Sequence, residues 1–274
     1  MRMTGFGPIR DCPIWIRTVA IVATSVLIMG AADPSLEEAQ SLIPWEKIEE
    51  KAKAKIEDVV NKPTVHHRSA SEVFACSPEL YLMLLHDPVL TLELWKTLGM
   101  SGVTLEQVSP GQYQGSDGRS TSGRWEFVYQ SADLNVIYSE GEYRGPLMGA
   151  SLQTRSVLVL RSTFFEERDG KKYVKHQMDA FVRAESGGLK PLTKALRPLF
   201  LKSVEMTVQE TLWFVSLMCR YTMHDPHAVA QAVEQMDKLP QSVKAQMLRV
   251  LAPVMAATPQ RKTSAGGIAA GNPN

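Results

Sequence analysis

His176 is the side chain of this sequence best placed to do chemistry. It alternates with Val174, Met178, Ala180 and Val182, while Tyr173, Lys175, Gln177 and Asp179 fall on the opposite side of the same run. In an extended segment the first set shares one face, so His176 is a titratable group on an apolar wall. Such an imidazole can orient a ligand head group, act as an acid–base, or be a core histidine hydrogen-bonded to a neighbour. Arg161 is the second anomaly, alternating with Val157, Val159, Thr163 and Phe165. A guanidinium there pairs with a carboxylate or phosphate, or snorkels from the sheet edge. Glu140 and Glu142 flank Gly141 on one strand face and read as a solvated pair without a catalytic partner.

The other histidines and the cysteines are less directive. His224 and His227 flank Asp225-Pro226; proline interrupts the helix that would align them, and two ligands fall short of a structural zinc site. His66 and His67 point to opposite faces of a strand and do not chelate together. Cys76 and Cys219 either bridge or remain two buried thiols; Cys12 precedes them near the N-terminus. No Walker loop, Gly-x-Gly-x-x-Gly, His-Glu-x-x-His, Cys-x-x-Cys or Gly-x-Ser-x-Gly occurs. The sequence therefore predicts no metal, no cofactor and no assigned catalytic residue.

The elements that must position these groups follow from periodicity. Residues 36–60 read as an exposed amphipathic helix with Trp45, Ile48, Ala52, Ile56 and Val59 on one side. Residues 64–74 read as a first strand. Ser77-Pro78 opens a helix, Pro88 begins another, and Gly99 is a plausible C-cap. Strands follow at 103–108, 123–130 (with Trp125, Phe127 and Tyr129 on one face) and around Leu134, Val136 and Tyr138. Val157–Leu160 is apolar on both sides, which suggests a central strand. Asp169-Gly170 predicts a hairpin between 155–167 and 172–185. Gly141–Gly149 departs from a simple meander and reads as a loop or cavity lid. From Pro198 to about Met223 the period becomes helical, with Phe200, Val204, Val208, Leu212, Val215 and Cys219 in one stripe. Shorter helical segments follow at 227–237 and 241–252.

The N-terminus predicts export. Arg2, Arg10 and Arg17 lead into fifteen uncharged residues, Thr18–Ala32, ending in small side chains. This is the plan of a cleaved signal peptide, residues 1–32, cut after Ala32, and it implies a periplasmic or secreted protein. The alternative is an anchor over 13–32, although the apolar run is short of the roughly 20 residues a span needs. Removing 1–32 takes three Arg and Asp11 from 30 basic and 29 acidic side chains, leaving 27 and 28. A near-neutral chain lacks the footprint of a nucleic-acid binder. It predicts membrane contact that is transient or made through an uncleaved N-terminus. The expected organisation is a signal peptide (1–32), a lead-in helix (33–63), an α+β domain (64–224), a helical appendage (225–257) and a tail of disordered composition (258–274).

The order of strand, two short helices, several antiparallel strands and one long terminal helix resembles the helix-grip architecture of the START-like (SRPBCC) superfamily. An exported chain with such a core is also similar to many uncharacterised bacterial envelope proteins. The resemblance implies a curved antiparallel sheet gripping a long C-terminal helix around an apolar cavity, with extra helices at both ends. The expected function is non-enzymatic binding of a hydrophobic or lipid-like small molecule. His176, Arg161, Met178, Tyr138, Val208 and Leu212 are the candidate lining. Two alternatives stand beside it: a cyclase- or hydrolase-type enzyme with His176 as acid–base, and a structural envelope protein with a filled core.

Overall fold

Residues 157–160 are apolar on both faces and need cover on both sides, and the architecture supplies it. The structure, a computed structural model, describes residues 36–98, 103–118, 121–144, 151–185, 197–237 and 239–258. The expected signal peptide, Gly99, most of the expected lid and the C-terminal tail beyond Thr258 lie outside them. Eight strands are described: β1 (Val65–Arg68), β2 (Glu72–Ala75), β3 (Thr104–Ser109), β4 (Gln112–Ser116), β5 (Thr121–Gln130), β6 (Leu134–Tyr143), β7 (Leu152–Glu166) and β8 (Lys172–Ala184). They form one antiparallel sheet in the order β1-β8-β7-β6-β5-β4-β3, with β2 also paired to β8. The fold class is α+β. The β7–β8 hairpin turns at Asp169-Gly170, where Gly170 takes φ +79°, a conformation that glycine adopts without a Cβ penalty.

The expected first strand is two. β1 pairs with Asp179–Val182 and β2 with Tyr173–His176. Between them Ser69 leaves the strand, and its hydroxyl accepts a 3.0 Å hydrogen bond from the Met178 amide. A polar residue that serves the ladder through its side chain offsets the lost pairing and lets the edge jog.

The two sheet faces bury different helices. On one face lie α3 (Pro78–His86), α4 (Pro88–Thr97), α5 (Arg197–His224), α6 (Pro226–Gln235) and α7 (Gln241–Ala257). Ser77 caps α3, Asp87 caps α4 and Asp225 caps α6, each accepting from a backbone amide three residues on. The long helix α5 packs on β8, β2 and β1. It buries the whole predicted stripe from Phe200 to Cys219. Met178, Ala180 and Val182 of β8 meet it in the larger core.

The opposite face is covered by the lead-in segment. The expected single helix breaks at Pro44 into α1 (Leu36–Ser41), a short 3-10 turn and α2 (Glu50–Asn61). The apolar spacing still holds: Ile48, Ile56, Val59 and Val60 are buried against Val136, Tyr138, Val157, Val159 and Phe181. At roughly 1.5–3 kcal/mol per buried aliphatic side chain, these contacts fasten the segment to the sheet. Asp58 of α2 adds ion pairs to Arg155 and Arg183.

The sheet curves toward the α5 side. Gly115, Gly123 and Gly141 are cross-strand neighbours and run in a row across β4, β5 and β6. A Cβ on Gly123 would lie 2.5 Å from the Glu140 carbonyl oxygen and 2.9 Å from the Gly141 Cα. Only glycine permits strands to close this far, so the row is the line along which the sheet curves.

Candidate functional site

The residues expected to share one cavity divide between the two faces. His176, Met178, Val208 and Leu212 lie on the α5 side, all within the larger core or buried beside it. Tyr138 and Arg161 lie on the α1–α2 side. Tyr138 is packed in the second core, and its hydroxyl donates to Glu140 at 2.7 Å. Cross-strand pairing fixes the division, because Arg161 sits opposite Leu134 and Gln177, whereas Ser162 sits opposite His176.

His176 is the centre of a buried polar chain. Its Nε2 lies 3.3 Å from Glu72 Oε2, and its Nδ1 lies 3.4 Å from the Tyr81 hydroxyl, itself 2.8 Å from Ser162 Oγ. A carboxylate can only accept, so Nε2 carries the proton toward Glu72 and Nδ1 accepts from Tyr81, whose oxygen accepts from Ser162. Glu72 Oε1 also accepts from Ser216 at 2.9 Å and from Arg220 at 2.7 Å. Phe74 packs edge-on to the imidazole with centroids 5.0 Å apart. The ring is 1% exposed. Burial holds its pKa below the ordinary histidine value, and Glu72 opposes that only in part. Burial likewise raises the Tyr81 phenol. The chain ties α3 and α5 to β2, β7 and β8.

Arg161 belongs to a second cluster. Asp179, fully buried, accepts from Arg68 Nε at 2.7 Å, lies 3.2 Å from His66 Nε2, and accepts from Arg161 at 3.3 Å. Burial alone raises a carboxyl pKa, but these hydrogen bonds and the two guanidinium charges bring Asp179 below its usual range. Arg68 reaches on to Glu38 of α1 at 3.0 Å. Arg161 thus pairs with a carboxylate, one of the two roles its pattern allowed.

A third group of residues was visible in the sequence only as strand pattern. On the α5-side face, Tyr113 of β4 pairs with Trp125, Trp125 with Ser139, and Ser139 with Ser156. Beside that row, Phe127 pairs with Ile137 and Ile137 with Leu158. Trp125, Phe127, Ile137 and Leu158 are half-buried. Tyr113 stacks on Trp125 at 5.9 Å and meets Phe127 edge-on at 6.1 Å. The strip carries polar groups at one end and within it: His86 Nε2 lies 2.9 Å from Asn135 Oδ1, and Ser139 Oγ lies 2.5 Å from Ser156 Oγ. Burial lowers the His86 pKa. Tyr113, Trp125, Phe127 and Ile137 belong to neither core. The helices explain why: α5 covers the sheet at β8, β2 and β1, and α4 packs against β3. The strip lies between these contacts, on the concave side of the glycine row.

Tyr129 leaves the expected face. A bulge between Phe127 and Tyr129 shifts the register, and Tyr129 pairs with Val136 on the α1–α2 side. One extra residue reverses the parity of everything after it.

Behind the glycine row, the outer face carries an open groove of about 320 Å³ lined by Gln114, Ser122, Arg124, Glu140, Glu142 and Gln153. Its lining side chains are polar or charged, set around the three glycines. Glu142 there pairs with Arg144 at 3.1 Å. His227 Nε2 lies 2.9 Å from the Thr258 carbonyl. Among the described residues no group of three or more His, Cys, Asp or Glu is arranged to hold a metal, and no helix is long and apolar enough to cross a membrane. Cys76 and Cys219 are both buried thiols.

No protein-family profile and no curated protein matches the chain. Among solved structures it is similar to a conserved protein from Geobacillus kaustophilus (10% identity, TM-score 0.40, covering 58% of this chain and 97% of that one). A protein from Thermus thermophilus is similar at 11% identity and TM-score 0.38, covering 58% of this chain and 99% of that one. The di-domain ARO/CYC protein BexL from the BE-7585A biosynthetic pathway is similar at 16% identity and TM-score 0.32, covering 59% of this chain and 52% of that one.

Proposed function

We propose that this protein binds an apolar or amphipathic small molecule on the concave strip formed by Tyr113, Trp125, Phe127, Ile137 and Leu158. The observation that carries the reading is an aromatic surface that belongs to neither core and keeps accessible area on Trp125 and Phe127. A partly accessible aromatic cluster on a concave face, with a few polar groups beside it, is the usual making of a small-molecule site. His86 with Asn135 at one end, and Ser139 with Ser156 in the middle, provide hydrogen-bonding groups for a polar end of the ligand. Binding would be driven by apolar burial, at about 25 cal/mol per Å². His176 is a core member in this reading, since both ring nitrogens are engaged by protein groups.

The test is native mass spectrometry of the protein purified from its own source, followed by solvent extraction, beside titration with anilinonaphthalene sulfonate and a long-chain fatty acid. A co-purifying apolar compound, or saturable binding that weakens on Trp125→Ala, is the expected result. A bare polypeptide with no saturable binding of either probe overturns the proposal.

A further inference from the structure

Three side chains of β2 and its extension face three of α5. Glu72, Phe74 and Cys76 alternate onto the α5 side, and the Cys76 amide prolongs the ladder by donating to the Lys172 carbonyl at 3.0 Å. On α5, Ser216 and Arg220 both donate to Glu72, and the Arg220 guanidinium lies over the Phe74 ring, 5.8 Å from its centroid. Cys219 sits between them in sequence and on the same helix side, and it shares the larger core with Cys76, both fully buried. The two thiols are near enough to act on one another electrostatically, and each lies close to Tyr81.

We infer that Cys76 and Cys219 are an oxidisable pair whose disulfide staples α5 to the β2–α3 junction. The approach of strand and helix is set by the Glu72–Ser216 and Glu72–Arg220 hydrogen bonds on one side and by the Phe74–Arg220 contact next to it. These contacts hold α5 against β2 where both cysteines are buried in the one core. The bond would close a long loop, between residues 76 and 219, and would act on the helix that covers β8, β2 and β1.

The chemistry is thiol–disulfide exchange with a donor disulfide. One cysteine thiolate attacks a donor sulfur and expels the first donor thiol. The second cysteine then attacks the mixed disulfide and expels the other. Two electrons and two protons pass to the donor, which leaves as two thiols, and one S–S bond joins Cys76 to Cys219. Burial, with Cys76 alongside, holds the Cys219 thiol well above its ordinary pKa, so the docked Cys219 is a poor nucleophile. Exchange accordingly belongs to the period before α5 docks on β2. An exported chain, as the N-terminal segment predicts, would fold where disulfide donors prevail.

The experiment uses the full chain carrying Cys12→Ser, refolded in glutathione buffers of graded potential, denatured, alkylated and weighed intact. In oxidised glutathione the expected product takes up no alkyl group, is about 2 Da lighter than the reduced chain, and yields a Cys76–Cys219 cross-linked peptide. Its Tm should exceed that of the reduced form by about 5 °C or more. Cys219→Ser and Cys76→Ala variants should fold, by circular dichroism, with no such redox difference in Tm. Two alkylatable thiols in oxidised glutathione, one glutathione held on each cysteine, or a redox shift in Tm that persists in both variants would overturn the inference.

Discussion

Replacing His176 distinguishes a core histidine from a working one. The imidazole is 1% exposed and packed against Phe74 and Tyr81. His176→Ala removes most of a ring's volume and two long hydrogen bonds, of 3.3 and 3.4 Å. It orphans neither neighbour, because the Tyr81 hydroxyl can turn to donate to Ser162, and Glu72 keeps Ser216 and Arg220. The cost is then chiefly the cavity, about 3 kcal/mol. In a protein of this size that lowers Tm by about 6–12 °C. His176→Phe restores the volume and should cost about 1 kcal/mol. Both should bind an apolar probe as the parent does. The pH dependence gives an independent reading. The folded pKa of His176 lies below its unfolded value, so between the two the unfolded state binds more protons. Stability is full above about pH 6.5 and falls as pH drops below it. The groups facing the ring, Glu72, Arg220 and Tyr81, remain in His176→Phe, so the variant should lose that slope, apart from what His86 contributes. Thermal melts from pH 5 to 8 measure both effects. An His176→Ala protein that melts within 2 °C of the parent but loses probe binding would refute the core assignment.

Trp125→Ala should weaken apolar-probe binding about tenfold, the worth of burying roughly 60 Å² of the ring, with little change in Tm; equal affinity by fluorescence titration counts against the concave site. Asp179→Asn removes the carboxylate from two guanidinium groups and should cost about 3–5 kcal/mol at neutral pH in denaturant titrations. Because the folded pKa of Asp179 is depressed, its contribution is present above about pH 3.9 and is lost as pH falls further. The variant should flatten that acid limb, and an unchanged limb would show that the carboxylate is not the titrating group. Gly123→Ala sets a Cβ against backbone atoms of β6, so the sheet must open along its bend. A loss of about 2–3 kcal/mol is expected, and an unaltered melt would show that the bend does not need glycine.

The sequence was most legible where one period covers a whole element. The stripe from Phe200 to Cys219 specified α5 and its buried side, and the two-sided apolar run at 157–160 specified a central strand, because burial acts on every residue of such a run alike. It was least legible where a single residue changes parity or pairing. The bulge after Phe127 is one residue, yet it sends Tyr129 to the α1–α2 face, and nothing in Phe-Val-Tyr marks it. The jog at Ser69 is likewise one hydroxyl taking a ladder bond. The split of the candidate residues has a further cause. Alternation assigned His176 and Arg161 each to a face of its own strand, but only the β7–β8 register, Ser162 opposite His176, says that those faces are opposite ones. The aromatic strip follows the same logic. Trp125, Phe127 and Ile137 look like ordinary strand residues one strand at a time. They become a surface only when three pairings set them side by side, when a row of glycines on three strands bends the sheet, and when α5 and α4 stop short of covering it. Each of those conditions is a relation between distant segments, and a glycine inside a strand is its only local trace.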